Sequence, residues 1–327
     1  MRRCRFGVAA FQFEPLPQII RLVQEIEALG YTHAWLGDSQ MIWREVFVTL
    51  GALGVTTRRI TLATGVTNPV TRSLAVQASA WSSLAELTGG RVAIGMGLGD
   101  SSLETLGKRP ARLSELEHAV DILRRLILGQ TVELDGTSIR LTHAYGKAVP
   151  VYLAASGPRM IDLAGRLADG VILLVGTDPS LIRQAIDRLE RACMHTDRGA
   201  QPIDKVLWAP FSIDEDGTKA RDHVRPHVAR AVLHPMPFQF APEDQTAIEV
   251  IRRHYDYYSH LAQGAPQGGV VPDRLVEKFA IAGTPEEVLE QVRRLQSLAI
   301  DQIGLVPHGP DRVSQVRVFV EKVLSRL

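Results

Sequence analysis

Cysteine is scarce in this chain: 327 residues include two, Cys4 and Cys193, far apart and in no metal-ligand spacing. That excludes a disulfide framework and a zinc-ribbon site, and it points to a reducing, cytoplasmic setting. An excess of charge of one sign is missing too. The 37 basic and 36 acidic residues leave a net charge of +1 with no block of like charge, which argues against a nucleic-acid or membrane-surface partner. No apolar stretch approaches the roughly 20 residues of a membrane span. The basic start Met1-Arg2-Arg3-Cys4-Arg5 runs into apolar sequence, but Gln12, Glu14 and two prolines break it after Phe11. It therefore reads as a first β-strand and not as a signal peptide. The 10 histidines show neither zincin nor triad spacing, so no metal site is expected.

What is present is a composition, 45% hydrophobic and 22% charged, that suits a globular protein with a large core. Short apolar runs alternate with longer amphipathic ones. Strands are expected at 5–10, 33–36, 60–64, 92–96, 151–154, 170–175, 206–213 and 302–306. Helices are expected at 16–29, 44–55, 75–87, 112–128, 160–167, 181–195, 285–298 and 313–324. Eight strand–helix units in one chain imply a parallel sheet closed into a single (β/α)8 TIM barrel over residues 1–327. Two segments fall outside this pattern. Thr131–Leu134 and Ser138–Leu141 flank Asp135-Gly136 and read as a hairpin beside the barrel. Residues 225–280, rich in Pro, His and Tyr, read as an insertion, either a lid over the site or a packing surface for a subunit interface.

In such barrels the functional groups sit just after the strands. There the sequence supplies Asp38 and Trp43 after the second strand. Gly65-Val66-Thr67-Asn68 follows the third, and Gly97-Leu98-Gly99-Asp100 the fourth. Ser156-Gly157-Pro158-Arg159 follows the fifth, and Gly176 the sixth. Glycine lets a ligand approach the backbone closely. A helix opening at Pro158 presents free amides to a phosphate, with Arg159 adding charge; a plain helix start capped by Ser156 accounts for the same residues. Gly95, Gly97 and Gly99 mimic a dinucleotide loop but lack the final glycine of that spacing. Asp38 fits an acid, a base or a helix cap. Trp43 fits ring stacking or core packing.

Taken together, these loops resemble the luciferase-like family of flavin- and deazaflavin-dependent oxidoreductases. The resemblance is carried by Thr64–Arg72, by Leu87-Thr88-Gly89-Gly90-Arg91, by Gly97–Asp100 and by Val151–Met160 with Ala168-Asp169-Gly170-Val171. Within the family the sequence is most similar to the branch of F420-dependent methylenetetrahydromethanopterin reductase. The resemblance implies an oxidoreductase that passes a hydride between coenzyme F420 and a small-molecule substrate, with FMN and a two-component monooxygenase as the alternative. A non-catalytic flavin-binding protein is a third reading. The cofactor ring is expected against Gly65, Val66, Thr67, Asn68, Gly97, Gly99 and Gly176, and its phosphate near Ser156–Arg159. Asp38, Trp43 and Asp100 are the expected catalytic residues. A cis peptide at Gly65–Val66 and a homodimer are further implications. Ser39 replaces the histidine of the glucose-6-phosphate dehydrogenase branch, and Ala9 or Ala10 the glutamate of the reductase branch. The substrate is therefore expected to be neither of theirs.

Overall fold

The computed structural model describes residues 4–194 and 202–327. His195, the last residue of the helix expected at 181–195, and the first three residues of the chain lie outside them. The strands in chain order are β1 (Arg5–Ala9), β2 (His33–Leu36), β3 (Thr61–Thr64), β4 (Val92–Met96), β5 (Val132–Leu134), β6 (Thr137–Ile139), β7 (Val151–Ala155), β8 (Gly170–Leu173), β9 (Asp204–Ile213), β10 (Ile281–Gly283) and β11 (Gln302–Pro307). Eight of them pair in parallel in the order β9-β11-β1-β2-β3-β4-β7-β8, and β8 returns to β9 to close the barrel. The expected (β/α)8 TIM barrel is thus the fold. The antiparallel β5–β6 hairpin stands outside it, with Asp135 and Gly136 at positive φ. One strand was not expected: β10 pairs with the far end of β9, Phe211 to Ile213, beyond the ring.

The barrel strands are short because their side chains are buried on both faces. The outward residues meet the helices. Inward, Trp35, Ala63, Ala93, Tyr152, Ile172, Val206 and Trp208 fill the lumen. At its N-terminal end the lumen is plugged by hydrogen bonds. Trp35 Nε1 donates to Gln302 Oε1 at 3.0 Å, and Gln302 Nε2 lies 2.9 Å from His33 Nδ1. Tyr152 donates to Asp204 at 2.7 Å, and Arg5 pairs with the same carboxylate. Gly7 leaves the room this requires: a Cβ there would lie 2.6 Å from Gln302 Oε1.

The chief departure lies after β9. A helix, Gly217–Ala231, follows that strand directly, capped by Asp216, whose carboxylate accepts the amides of Thr218 and Lys219. The sequence hides it because Pro226 sits inside it and its buried face carries His227 and Arg230 beside valines. The expected 225–280 insertion thus opens within this helix, whose Val224 and Val228 share its core. It adds helix Pro242–His254, a 3-10 turn at Pro266–Val270 and helix Asp273–Phe279, packed on a core of their own with Val224, Val228 and Phe279. Among the described residues no helix is long and apolar enough to cross a membrane.

Candidate active site

At the C-terminal ends of the strands a cavity of about 480 Å³ opens. Asp38, Trp43 and Asp100 line it, as do Gly65, Val66, Thr67, Gly97 and Gly99, and all four residues Ser156 to Arg159. Two expected residues do not. Asn68 lies behind the wall as a brace: its Oδ1 accepts the amides of Val70 and Thr71, and its Nδ2 donates to Ser102 Oγ at 3.2 Å. Gly176 has φ +85° and packs on the backbone of the insertion, where a Cβ would meet the Lys278 carbonyl oxygen at 2.6 Å. It faces a separate small void of about 30 Å³. Close backbone approach is indeed why it is glycine, but the approaching group is the chain itself.

The floor is built from the third and fourth strand ends. The Gly65–Val66 peptide is cis. Thr67 continues the ladder, its amide donating to Gly95 and its carbonyl accepting from Gly97, both at 2.9 Å. A Cβ on Gly97 would lie 3.1 Å from Val66 and 3.8 Å from Ala154. Trp43 lies flush over Gly37, where a Cβ would clash at 2.2 Å, and stacks on Phe11 at 4.6 Å. Trp208 closes against Gly65 from across the barrel. Each indole Nε1 is buried without a hydrogen-bond partner among the described residues.

Asp38 is buried and accepts three hydrogen bonds. Oδ2 accepts Thr67 Oγ1 at 2.7 Å and Arg72 Nη1 at 2.6 Å, and Oδ1 accepts Gln40 Nε2 at 2.8 Å. Arg72 reaches on to Glu45, which caps helix Val46–Thr56. Asp38 is thus not a helix cap. It ties the loop after β2 to the loop after β3 through buried charge-assisted hydrogen bonds.

Asp100 is held from the insertion side. Arg230 grips it with two hydrogen bonds, Nε to Oδ2 at 2.9 Å and Nη2 to Oδ1 at 2.5 Å. Burial pushes the Asp100 carboxyl up, but the Arg230 guanidinium outweighs it and holds the carboxyl down at about 2. Around this pair stand His227, His234 and His260, all facing the cavity. Burial pushes their imidazoles down, His260 to about 4 and His234 to about 3, so they are neutral near pH 7. His227 Nδ1 lies 2.9 Å from His308 Nε2, and Tyr255 OH lies 2.6 Å from His260 Nδ1.

At the opposite loop, helix Pro158–Leu167 starts on the cavity. Its N-cap is Gly157, with no side-chain cap, so Ser156 is not the capping serine. The first amides of a helix lack partners within it and carry about half a positive charge. Arg159 is exposed beside them and has no carboxylate partner among the described residues. A Cβ on Gly157 would meet Pro235 of the insertion at 3.1 Å. Sequence reasoning missed Arg230, the three histidines and Trp208; the run of His, Arg and Tyr in the segment following β9 was the available signal.

Comparison with known proteins agrees with this geometry. The profile of the family described as luciferase-like monooxygenase matches residues 4–302. The chain is 30% identical to the 5,10-methylenetetrahydromethanopterin reductase of Archaeoglobus fulgidus, over 99% of both chains. It is 28% identical to an F420-dependent glucose-6-phosphate dehydrogenase of Microbacterium testaceum, over 99% of this chain and 97% of the relative. Among solved structures, the coenzyme F420-dependent tetrahydromethanopterin reductase of Methanopyrus kandleri superposes with a TM-score of 0.80 at 24% identity, covering 99% of both chains.

Proposed function

The chain belongs to the luciferase-like monooxygenase family, and from that premise we propose that it is an F420-dependent oxidoreductase acting on a small organic substrate. The observation that carries this reading is the composition of one cavity wall. Helix start 156–159, with the unpaired Arg159, continues into a glycine floor at Gly97 and into the rings of Trp43 and Trp208. Such a wall suits a flat heteroaromatic ring with a phosphate-bearing tail. The residues fit the group: Gly65, Gly97 and Gly99 line the cavity without side chains, and the rings of Trp43 and Trp208 border it.

Bound there, a deazaflavin supplies a two-electron hydride couple. The chain's own residues do the rest. Ser156, Gly157 and Arg159 hold the phosphate, and Val66, Thr67 and Gly97 support the ring. Asp38 acts as an orienting group, because Thr67, Arg72 and Gln40 occupy three of its roughly four lone-pair positions and pin it between two loops. Asp100 and Trp43 border the space left for substrate, and the insertion excludes water from it. Fluorescence titration with F420, FMN and reduced FMN, run separately, tests the assignment. Saturable F420 binding at least tenfold tighter than either flavin is expected; the reverse order favours the monooxygenase reading.

The same proposal includes a homodimer. Helix Val46–Thr56 is apolar around most of its circumference, the pattern of a helix buried on more than one side, and helix Leu74–Thr88 packs beside it. Yet Val48, Val55, Val76 and Leu87 are more than half exposed in the single chain. A second copy covering this pair of helices accounts for their composition.

A further inference from the structure

We infer that the substrate portion of this cavity is built for an uncharged molecule bearing a hydroxyl or carbonyl oxygen, and that it selects against phosphate esters and carboxylates. The inference rests on the cofactor reading above, since it assumes that Arg159 is committed to the cofactor phosphate.

The case is a charge inventory of the wall. Its cations are Arg159 and Arg230, and its anions are Asp38, Asp100 and the exposed Glu104 at the rim. Arg230 is bidentate on Asp100, and Asp38 is neutralised by Arg72 from behind the wall. No lysine faces the cavity among the described residues. The three imidazoles there are kept neutral by burial, so they offer hydrogen bonds and no charge. With Arg159 engaged, an anionic substrate entering this space finds no free cation and meets Glu104 on the way. Taking a phosphate or carboxylate out of water without a partner is costly. An alcohol or ketone meets what the wall does provide. Apolar surface comes from Trp43, Trp208, Leu98 and Leu261, and neutral donors or acceptors come from His260 and from the Ser39–Ser101 hydroxyl pair, 2.8 Å apart.

The test uses matched probes: cyclohexanol, cyclohexanone and cyclohexyl phosphate. Binding is read from quenching of Trp43 and Trp208 fluorescence and from calorimetry, not from turnover. One arm uses protein saturated with F420. The second uses Arg159→Ala without cofactor, which removes the competing cation and reports on the wall even if F420 does not bind. In both arms the uncharged probes should bind at least tenfold more tightly than the phosphate. Asp100→Asn should then free Arg230 and narrow or invert that preference. Cyclohexyl phosphate binding as tightly as cyclohexanol in both arms overturns the inference, as does Asp100→Asn folding normally with no gain for the phosphate. If Asp100→Asn does not fold, the wild-type preference alone decides. Failure of F420 to bind in the first arm, with the preference intact in the second, defeats the cofactor assignment and leaves the wall reading standing.

Discussion

Replacing Arg230 by glutamine strips Asp100 of its counter-ion while keeping most of the side-chain volume. Arg230 is 9% exposed, and about a third of the Asp100 side chain, 34%, faces the cavity. Losing one partner of a fully buried pair costs about 3–5 kcal/mol. Solvent reaching Asp100 through the cavity reduces that here, to about 2–3 kcal/mol. Unfolding entropy of roughly 2.1 cal/mol/K per residue over 327 residues gives about 0.7 kcal/mol/K. The variant should therefore melt about 3–4 °C below wild type. Removing both charges, as Asp100→Asn with Arg230→Gln, should restore part of the loss, with a coupling energy of about 1.5 kcal/mol or more in a double-mutant cycle. The pH dependence supplies an independent check. In wild type the carboxyl sits at about 2, below its ordinary 3.8, so its stabilisation is complete above that ordinary value and fades as pH falls toward 2. Without Arg230 the remaining burial pushes the carboxyl up, so the variant's deficit should grow from pH 4 to pH 7. Additive single effects below about 0.5 kcal/mol, with no pH trend, would refute the idea that this pair locks the insertion to the loop after β4.

Other outcomes follow from the same geometry. Arg159→Ala removes an exposed cation without a partner, so the melting temperature should hold while F420 affinity drops about tenfold, or about 1.4 kcal/mol, in a fluorescence titration. Gly37→Ala sets a methyl 2.2 Å from the Trp43 ring; the indole must leave its stack on Phe11, which near-ultraviolet circular dichroism should register. If the proposed dimer forms, the wild type should scatter light as a dimer and Val48→Glu together with Val76→Glu as a folded monomer. The imidazoles of His234, His260 and His308, held by burial at about 3 to about 4, stay neutral in the fold while those of the unfolded chain take up protons below about 6.5. Stability should fall from pH 7.5 to 5.5 by about 1.4 kcal/mol for each imidazole kept neutral, as read by urea titration.

The barrel was legible because its strands are nearly continuous apolar runs and most are followed by a helix with regular apolar spacing. The loop residues were legible because backbone needs, not side-chain chemistry, choose their glycines: Gly65, Gly97 and Gly157 all reach the cavity. That same logic misplaced Gly176, whose left-handed backbone serves contact with Lys278 and not with a ligand. Asp38 could be picked out, but its engagement by Gln40, Thr67 and Arg72 depends on how two loops meet, which no local pattern encodes. Helix Gly217–Ala231 was invisible for a related reason. A helix that turns His227 and Arg230 inward beside Val224 and Val228, and carries Pro226, shows only an interrupted apolar stripe. Periodicity finds helices that bury hydrocarbon, and this one buries polar groups at the site.

The hydrogen-bonded plug of Trp35, Gln302, His33, Tyr152 and Asp204 closes the lumen from below, so nothing enters the cavity along the barrel axis from that end. If the proposed cofactor sits on the glycine floor with substrate above it, release is expected to run last in, first out, with product leaving before cofactor exchange. Excess substrate would then trap the spent cofactor underneath, and substrate inhibition becomes a property of the architecture, independent of the chemistry performed inside.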